Sequence, residues 1–374
     1  MPRIAIVSTV IAFGCSRSSE PPARPSAPPV VIPVGTLPVD LAAGDLDGDG
    51  ALDLVSADAR DHAISVRLQR SGSWVPGQPV DTGFEPHMVA LADVDGDRDL
   101  DLVATCHDTG TVVVKLGDGK GGFSDAPGSP VTAFAVDRPH NHGLVVGDLN
   151  GDGNADVVVA DQTHTAVAVL LADGRGGLAL AGPPIELGAQ AYPPAIGDLD
   201  GDGRLDLVVP LVNTDGIAIL LGDGAGGLRA APGSPFHTGR ARPYAIALLD
   251  LDRDGALDVV ATHDDTDAIS LLLNDGHAAL RAAPGSPTSA GMRLWRPAAA
   301  DVDGDGAVDL IGAGSGSLVV LRGDRRGDFT LWWREPADGW TAIAADLDGD
   351  GRPDPVTADQ RTNALVVWLS RTGS

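Results

Sequence analysis

Apolar residues along the chain come in short runs rich in Val, Ala, Leu and Ile, and polar, glycine-rich breaks fall between them at regular distances. In one stretch, residues 144–146 are Leu-Val-Val, a nine-residue polar loop follows, and residues 157–160 are Val-Val-Val-Ala. A turn of Asp161, Gln162, Thr163 and His164 leads to the apolar residues 166–171, and the glycine-rich 173–177 precede a last extended stretch, 178–185. Four short runs separated by Gly, Asp and Asn turns predict a four-stranded antiparallel meander, and no stretch sustains a helical period. The run before each polar loop is apolar at consecutive positions, as in 88–92 (Met-Val-Ala-Leu-Ala) and 245–249 (Ala-Ile-Ala-Leu-Leu). Such runs predict strands buried on both faces.

The same unit recurs seven times. Its polar loop, D-x-[DN]-x-D-x-x-x-D, begins at Asp45, Asp93, Asp148, Asp198, Asp250, Asp301 and Asp346, at intervals of 48, 55, 50, 52, 51 and 45 residues. A lone meander has two apolar faces and two open edges, so a period near fifty predicts modules stacked into a ring. The expected fold is all-β, a seven-bladed β-propeller. The seventh module stops after its third strand, near 364–369, while residues 30–34 (Val-Val-Ile-Pro-Val) have no module of their own. Shifting the second module back by 48 residues places Gly83 on Gly35 and Pro86 on Pro38. The segment 30–34 therefore falls in an outer-strand register and is expected to complete the last blade and close the ring.

The loops carry the chemistry. Positions 1, 3, 5 and 9 are Asp45, Asp47, Asp49 and Asp53; Asp93, Asp95, Asp97 and Asp101; Asp148, Asn150, Asp152 and Asp156; and Asp198, Asp200, Asp202 and Asp206. The remaining three sets are Asp250, Asp252, Asp254 and Asp258; Asp301, Asp303, Asp305 and Asp309; and Asp346, Asp348, Asp350 and Asp354. Alternating carboxylates aimed at one centre, with a backbone carbonyl from position 7, form the hard oxygen shell that Ca²⁺ prefers to the strict octahedron of Mg²⁺. Up to seven Ca²⁺ ions are expected. An EF-hand would need Glu at position 12 and flanking helices; position 12 here is Ser56, Ala104, Val159, Val209, Ala261, Gly312 and Thr357. Position 6 is Gly in six loops and Arg98 in the second, so the Asp93 loop is expected to be strained.

The formal charge of −26 follows largely from these loops, which hold four carboxylates in six copies and three in the copy with Asn150, 27 in all. Seven divalent ions would leave −12. An acidic chain of this kind repels a phosphate backbone, and no nucleic-acid partner is expected. At the N-terminus Arg3, an apolar run over 4–13 and Gly14-Cys15 have the order of an export signal, too short to span a bilayer as a helix. The segment resembles a bacterial lipoprotein signal (1–14) with Cys15 as the lipidated residue, although Ala12, Phe13 and Gly14 depart from the usual pattern. Residues 15–29, rich in Pro and Ser, then read as a tether reaching about 45 Å, and 30–374 as the propeller. This predicts an exported monomer in a bacterial cell envelope, lipid-anchored to the outer membrane or secreted. With Cys15 modified, Cys106 is the only thiol left and no intrachain disulfide is possible. Cys106 itself reads as a small apolar filler.

The repeated D-L-D-G-D-G-x-x-D-L-V, the later G-D-G-x-G-G and the A-P-G-S-P turns resemble the FG-GAP/VCBS repeat family over about residues 31–369. The resemblance implies a seven-bladed propeller like that of integrin α-subunits, with calcium held by the Asp and Asn residues named above. It does not imply one function, because relatives include adhesion receptors, a fungal lectin and modules attached to enzymes.

Two G-x-G-x-x-G matches, at 117–122 and 222–227, lie between a third and a fourth strand and read as hairpin turns rather than dinucleotide sites. Seven of the nine histidines fall in or beside turns at the end opposite the polar loops. His87, His107, His140, His142, His164, Tyr192, Arg242, Tyr244, His263, Trp295, Arg296 and Trp340 form the candidate ligand rim there. Trp332 and Trp333, on an outer strand, read as packing residues. The functional expectation is a non-enzymatic, calcium-binding surface propeller for adhesion or for binding a protein or glycan. One alternative is a lyase-like enzyme on an acidic polysaccharide that uses His87, His140, His142, His263 and Arg242; the other is a structural spacer.

Overall fold

The computed structural model describes residues 5–6, 28–314, 316–324 and 327–370. The expected signal, Cys15 and most of the tether lie outside them, apart from a two-residue strand, Ala5–Ile6, beside the innermost strand of the first blade.

Seven antiparallel sheets form the ring. The second blade shows the plan: Pro86–Ala92, Asp101–Cys106, Thr111–Gly117 and Phe123–Asp125 pair in order, and Val131–Thr132 returns to the third strand. In every blade the second strand begins at the ninth loop residue and is buried along its whole length. This is why those strands read as unbroken apolar runs rather than alternating ones.

The core is divided into seven wedges, each built from two neighbouring blades. Met88, Val103 and Val114 of the second blade, for example, meet Leu144, Val157 and Leu170 of the third. No blade has a core of its own, so burial couples each sheet to the next.

The ring closes as the register requires. Val30–Pro33 is the outer strand of the last blade, with Val30 opposite Val367, Ile32 opposite Leu365 and Pro33 opposite Ala364. Ile32 is 3% exposed and packs with Leu365, Ile343, Leu41 and Leu54 across the seam. The sixth blade's long outer strand, Phe329–Pro336, places Trp333 against Trp368 edge to face at 5.6 Å, confirming a packing role. Both G-x-G-x-x-G stretches are hairpin turns, closed by Asp118 N to Gly122 O (3.0 Å) and Asp223 N to Gly227 O (2.9 Å). Cys106 is buried, and burial pushes its thiol up to about 11.

Candidate functional site

The two ends of the ring carry different chemistry. At one end, each acidic loop is folded by its own carboxylates. Asp45 accepts the amides of Gly48 (Oδ1, 2.7 Å) and Gly50 (Oδ2, 3.2 Å), Asp47 that of Asp49 (3.3 Å), and Asp49 that of Ala51 (2.9 Å). The ninth residue is a staple: Asp53 accepts Leu46 N (2.9 Å) inside the loop and Gln69 N (2.7 Å) on the third strand. Asp101, Asp156, Asp206, Asp258, Asp309 and Asp354 make the same pair of bonds. Fully buried, these carboxylates tie each loop to its blade.

The donor set suits a hard cation. Oxygens of Asp45, Asp47 and Asp53 lie within 4.8 Å of one another, as do those of Asp93, Asp95 and Asp101, of Asp198, Asp200 and Asp206, and of Asp250, Asp252 and Asp254. Asp250 Oδ1 is buried with no hydrogen-bond partner among the described residues, an orphaned acceptor that an ion would satisfy. Burial, helped by the neighbouring carboxylates, raises Asp53 and Asp258 to about 6, Asp101 and Asp354 to about 7 and Asp309 to about 8. A cation in the loop acts in the opposite direction.

Individual loops depart from the common pattern: the third has Asn150 at position 3, Arg70 Nη2 meets Asp47 Oδ2 at 2.6 Å in the first, and Arg204 pairs with Asp202 in the fourth. Positions 4 and 6 are left-handed: Arg98 has φ 75° at position 6, as its sequence place predicts, and Arg253 has φ 65° at position 4, where the other loops have Gly. In the sixth loop Arg322 reaches Asp303 Oδ2 with Nε (2.6 Å) and Asp305 Oδ2 with Nη2 (2.8 Å), bridging positions 3 and 5. The corresponding third-strand residue is Leu68, Leu116, Leu171, Leu221, Leu273 or Leu369 in the other blades. That single exception in a leucine column is the signal that locates it.

At the opposite end, the residue six places before each loop lies at or just before the first strand of its blade. These residues are Val39, His87, His142, Tyr192, Tyr244, Trp295 and Trp340, six aromatic rings and a valine. The ring centroids run His87 to His142 4.7 Å, His142 to Tyr192 4.9 Å (stacked, 19°), Tyr192 to Tyr244 4.9 Å and Tyr244 to Trp295 5.0 Å. Trp340 lies 6.4 Å from His87 and is 42% exposed, and Arg293 sits over the Trp295 ring at 4.1 Å. His107 and His140, from neighbouring turns, join this collar: His107 is 4.9 Å from His87 and 3.9 Å from His140, which is 4.4 Å from His142. Burial lowers the imidazole pKa of His87, His140 and His142, the last to about 3, so these rings are neutral at pH 7.

One step below the collar, Arg296 Nη1 meets the buried Asp40 Oδ1 at 2.8 Å, tying the sixth blade to the first. Of the other rim residues, one is buried and two pair with aspartates beside the collar, Asp161 next to His140 and Asp264 next to Tyr192. His263 is fully buried, with Nδ1 2.8 Å from Ala241 O and Nε2 2.8 Å from Ser270 Oγ. His164 packs on Asp161 (3.1 Å), and Arg242 pairs with Asp264.

Solved structures share this architecture at low identity. BBS1N, crystallised in complex with ARL6DN, has a TM-score of 0.62 at 15% identity, covering 96% of this chain and 99% of that one. A lectin from Agrocybe aegerita, described as recognising non-reducing terminal N-acetylglucosamine, has 0.54 at 19% identity, with 93% and 87% covered. A protein from Lactobacillus plantarum has 0.58 at 16% identity, with 84% and 97% covered. No curated protein matches the sequence. The model of the FG-GAP-like repeat matches residues 45–104, 93–159, 148–209, 250–311 and 301–357. Matched repeat upon repeat across most of the ring, the chain belongs to the FG-GAP-like repeat family.

Proposed function

We propose that this protein is a non-enzymatic, calcium-stabilised propeller of the bacterial cell surface that binds a glycan or protein at the aromatic collar, held to the membrane through Cys15. The observation that carries the reading is the column six residues before each loop, which brings six aromatic rings into one connected group at the end opposite the acidic loops. Aromatic faces stack on the apolar faces of sugars and anchor protein interfaces, and several already lie side by side here. Agreement with the glycan-recognising lectin and with BBS1N, seen in a protein complex, supports the choice of ligand class at the level of fold only. Calcium fills the oxygen cages at the far end and pins the loops, with Arg322 serving as the cation of the sixth.

The lyase-like reading loses support because His263 is buried and bonded through both ring nitrogens, and Arg242 is paired with Asp264. A feature-rich mouth also weighs against a pure spacer. The test is a glycan array and a surface pull-down with wild type, Tyr192→Ala and Trp340→Ala in calcium. The expected result is a bound glycan or protein partner lost at least tenfold in both variants; wild type binding nothing, or variants binding equally, overturns the collar assignment.

A further inference from the structure

We propose that His107, His140 and His142 form a site for one borderline divalent ion of the zinc or cobalt type at the axial mouth, at the opposite end of the ring from the acidic loops. Each of the three half-buried imidazoles offers a nitrogen within 4.8 Å of the other two. A tetrahedral ion with ligands at ~2.1 Å needs nitrogens about 3.4 Å apart, a contraction that small ring rotations supply. Three elements make the set: His107 follows the second strand of the second blade, His140 precedes the first strand of the third, and His142 lies in that strand.

The orientation of the rings fits ligation. His107 Nδ1 lies 2.7 Å and His140 Nδ1 3.8 Å from Asp108 Oδ1, so one carboxylate stands beside two of the rings, the kind of partner that supports metal-bound histidine. Tyr192 stacks flat on His142 and holds its plane. His142 makes no hydrogen bond among the described residues, which leaves a ring nitrogen for an ion. Imidazole nitrogens select zinc, cobalt, nickel or copper over calcium, whereas the all-oxygen loops do the reverse. Three histidines leave a fourth position open to water or to a donor group of whatever enters the mouth.

The experiment is a cobalt titration of the full chain in excess calcium, read by the visible bands of tetrahedral Co²⁺ and by elemental analysis. One Co²⁺ per chain is expected, displaced by Zn²⁺. Binding should weaken at least ~100-fold in His107→Ala and His142→Ala and about tenfold in Asp108→Ala. It should be unchanged in His237→Ala, on the fourth blade, and in His277→Ala. Absence of the bands, or their persistence in His142→Ala, overturns the site. Nuclear magnetic resonance of the unmutated protein gives the same decision without a folding risk. Substoichiometric Cu²⁺ should broaden the ring signals of His107, His140 and His142 before those of His237 and His277, and uniform broadening counts against the proposal.

Discussion

Closing the ring with a strand from the other end of the chain makes a local prediction. Ile32→Ala removes a side chain that is 3% exposed at the seam between the last blade and the first, among Leu41, Leu54, Ile343 and Leu365. A buried Ile to Ala change costs about 2–5 kcal/mol, transfer and cavity terms together. With an unfolding entropy of ~2.1 cal/mol/K per residue, a ring of roughly 340 residues loses about 3–7 °C of Tm for that cost. Val31, its neighbour, is 54% exposed, and Val31→Ala should stay within about 0.5 kcal/mol, under ~1 °C. Polar contacts hold the same strand: Arg67 Nε donates to Pro33 O (2.7 Å) and Val34 N to Asn363 O (3.0 Å). Deleting 30–34 should therefore destabilise far more than deleting 16–29. Thermal melts by circular dichroism in saturating calcium check both comparisons. Equal shifts for Ile32→Ala and Val31→Ala, or equal melting of the two deletions, would refute the closure.

Other consequences follow from the loops and the interior. Arg322→Leu restores the leucine of the other blades and should let the sixth loop take one more calcium, counted by equilibrium dialysis; in chelator the same variant should melt lower, because the guanidinium between Asp303 and Asp305 is gone. Arg98→Gly and Arg253→Gly relieve a left-handed backbone worth ~1–2 kcal/mol each, partly offset by glycine's chain entropy, and should raise the chelator-state Tm slightly. Burial lowers the pKa of His263, so its folded form resists protonation: its stabilising contribution is present above the ordinary imidazole value near 6.5 and is lost as pH falls from there toward the folded value. The His263 ring signals should accordingly stay in the neutral position at pH 6 while a free imidazole titrates, and a normal titration curve would contradict its burial.

The blades were legible because each carries its own register mark. Seven loops in one spacing define the unit, and the orphan 30–34 segment reveals the closure by the same arithmetic. The collar was only partly legible. Its rings are about fifty residues apart in sequence and become neighbours only where innermost strands converge on an axis, although counting six places back from every loop does isolate them. Sequence position puts His263 in the rim, yet a histidine at a strand end can point inward, and only side-chain packing shows that Ser270 and Ala241 satisfy both its nitrogens. Arg253 and Arg322 were visible as exceptions in aligned columns. Their roles were not, since a left-handed angle and a guanidinium lying between two carboxylates belong to three-dimensional geometry.

Hard ions in the acidic cages are the central claim. Counting calcium per chain by equilibrium dialysis at millimolar free ion, with the matching melting curve in chelator, tests it most directly. Six ions per chain and a large fall in Tm on their removal are predicted, with the sixth loop left to Arg322. A protein that binds no calcium and melts identically in chelator would contradict it.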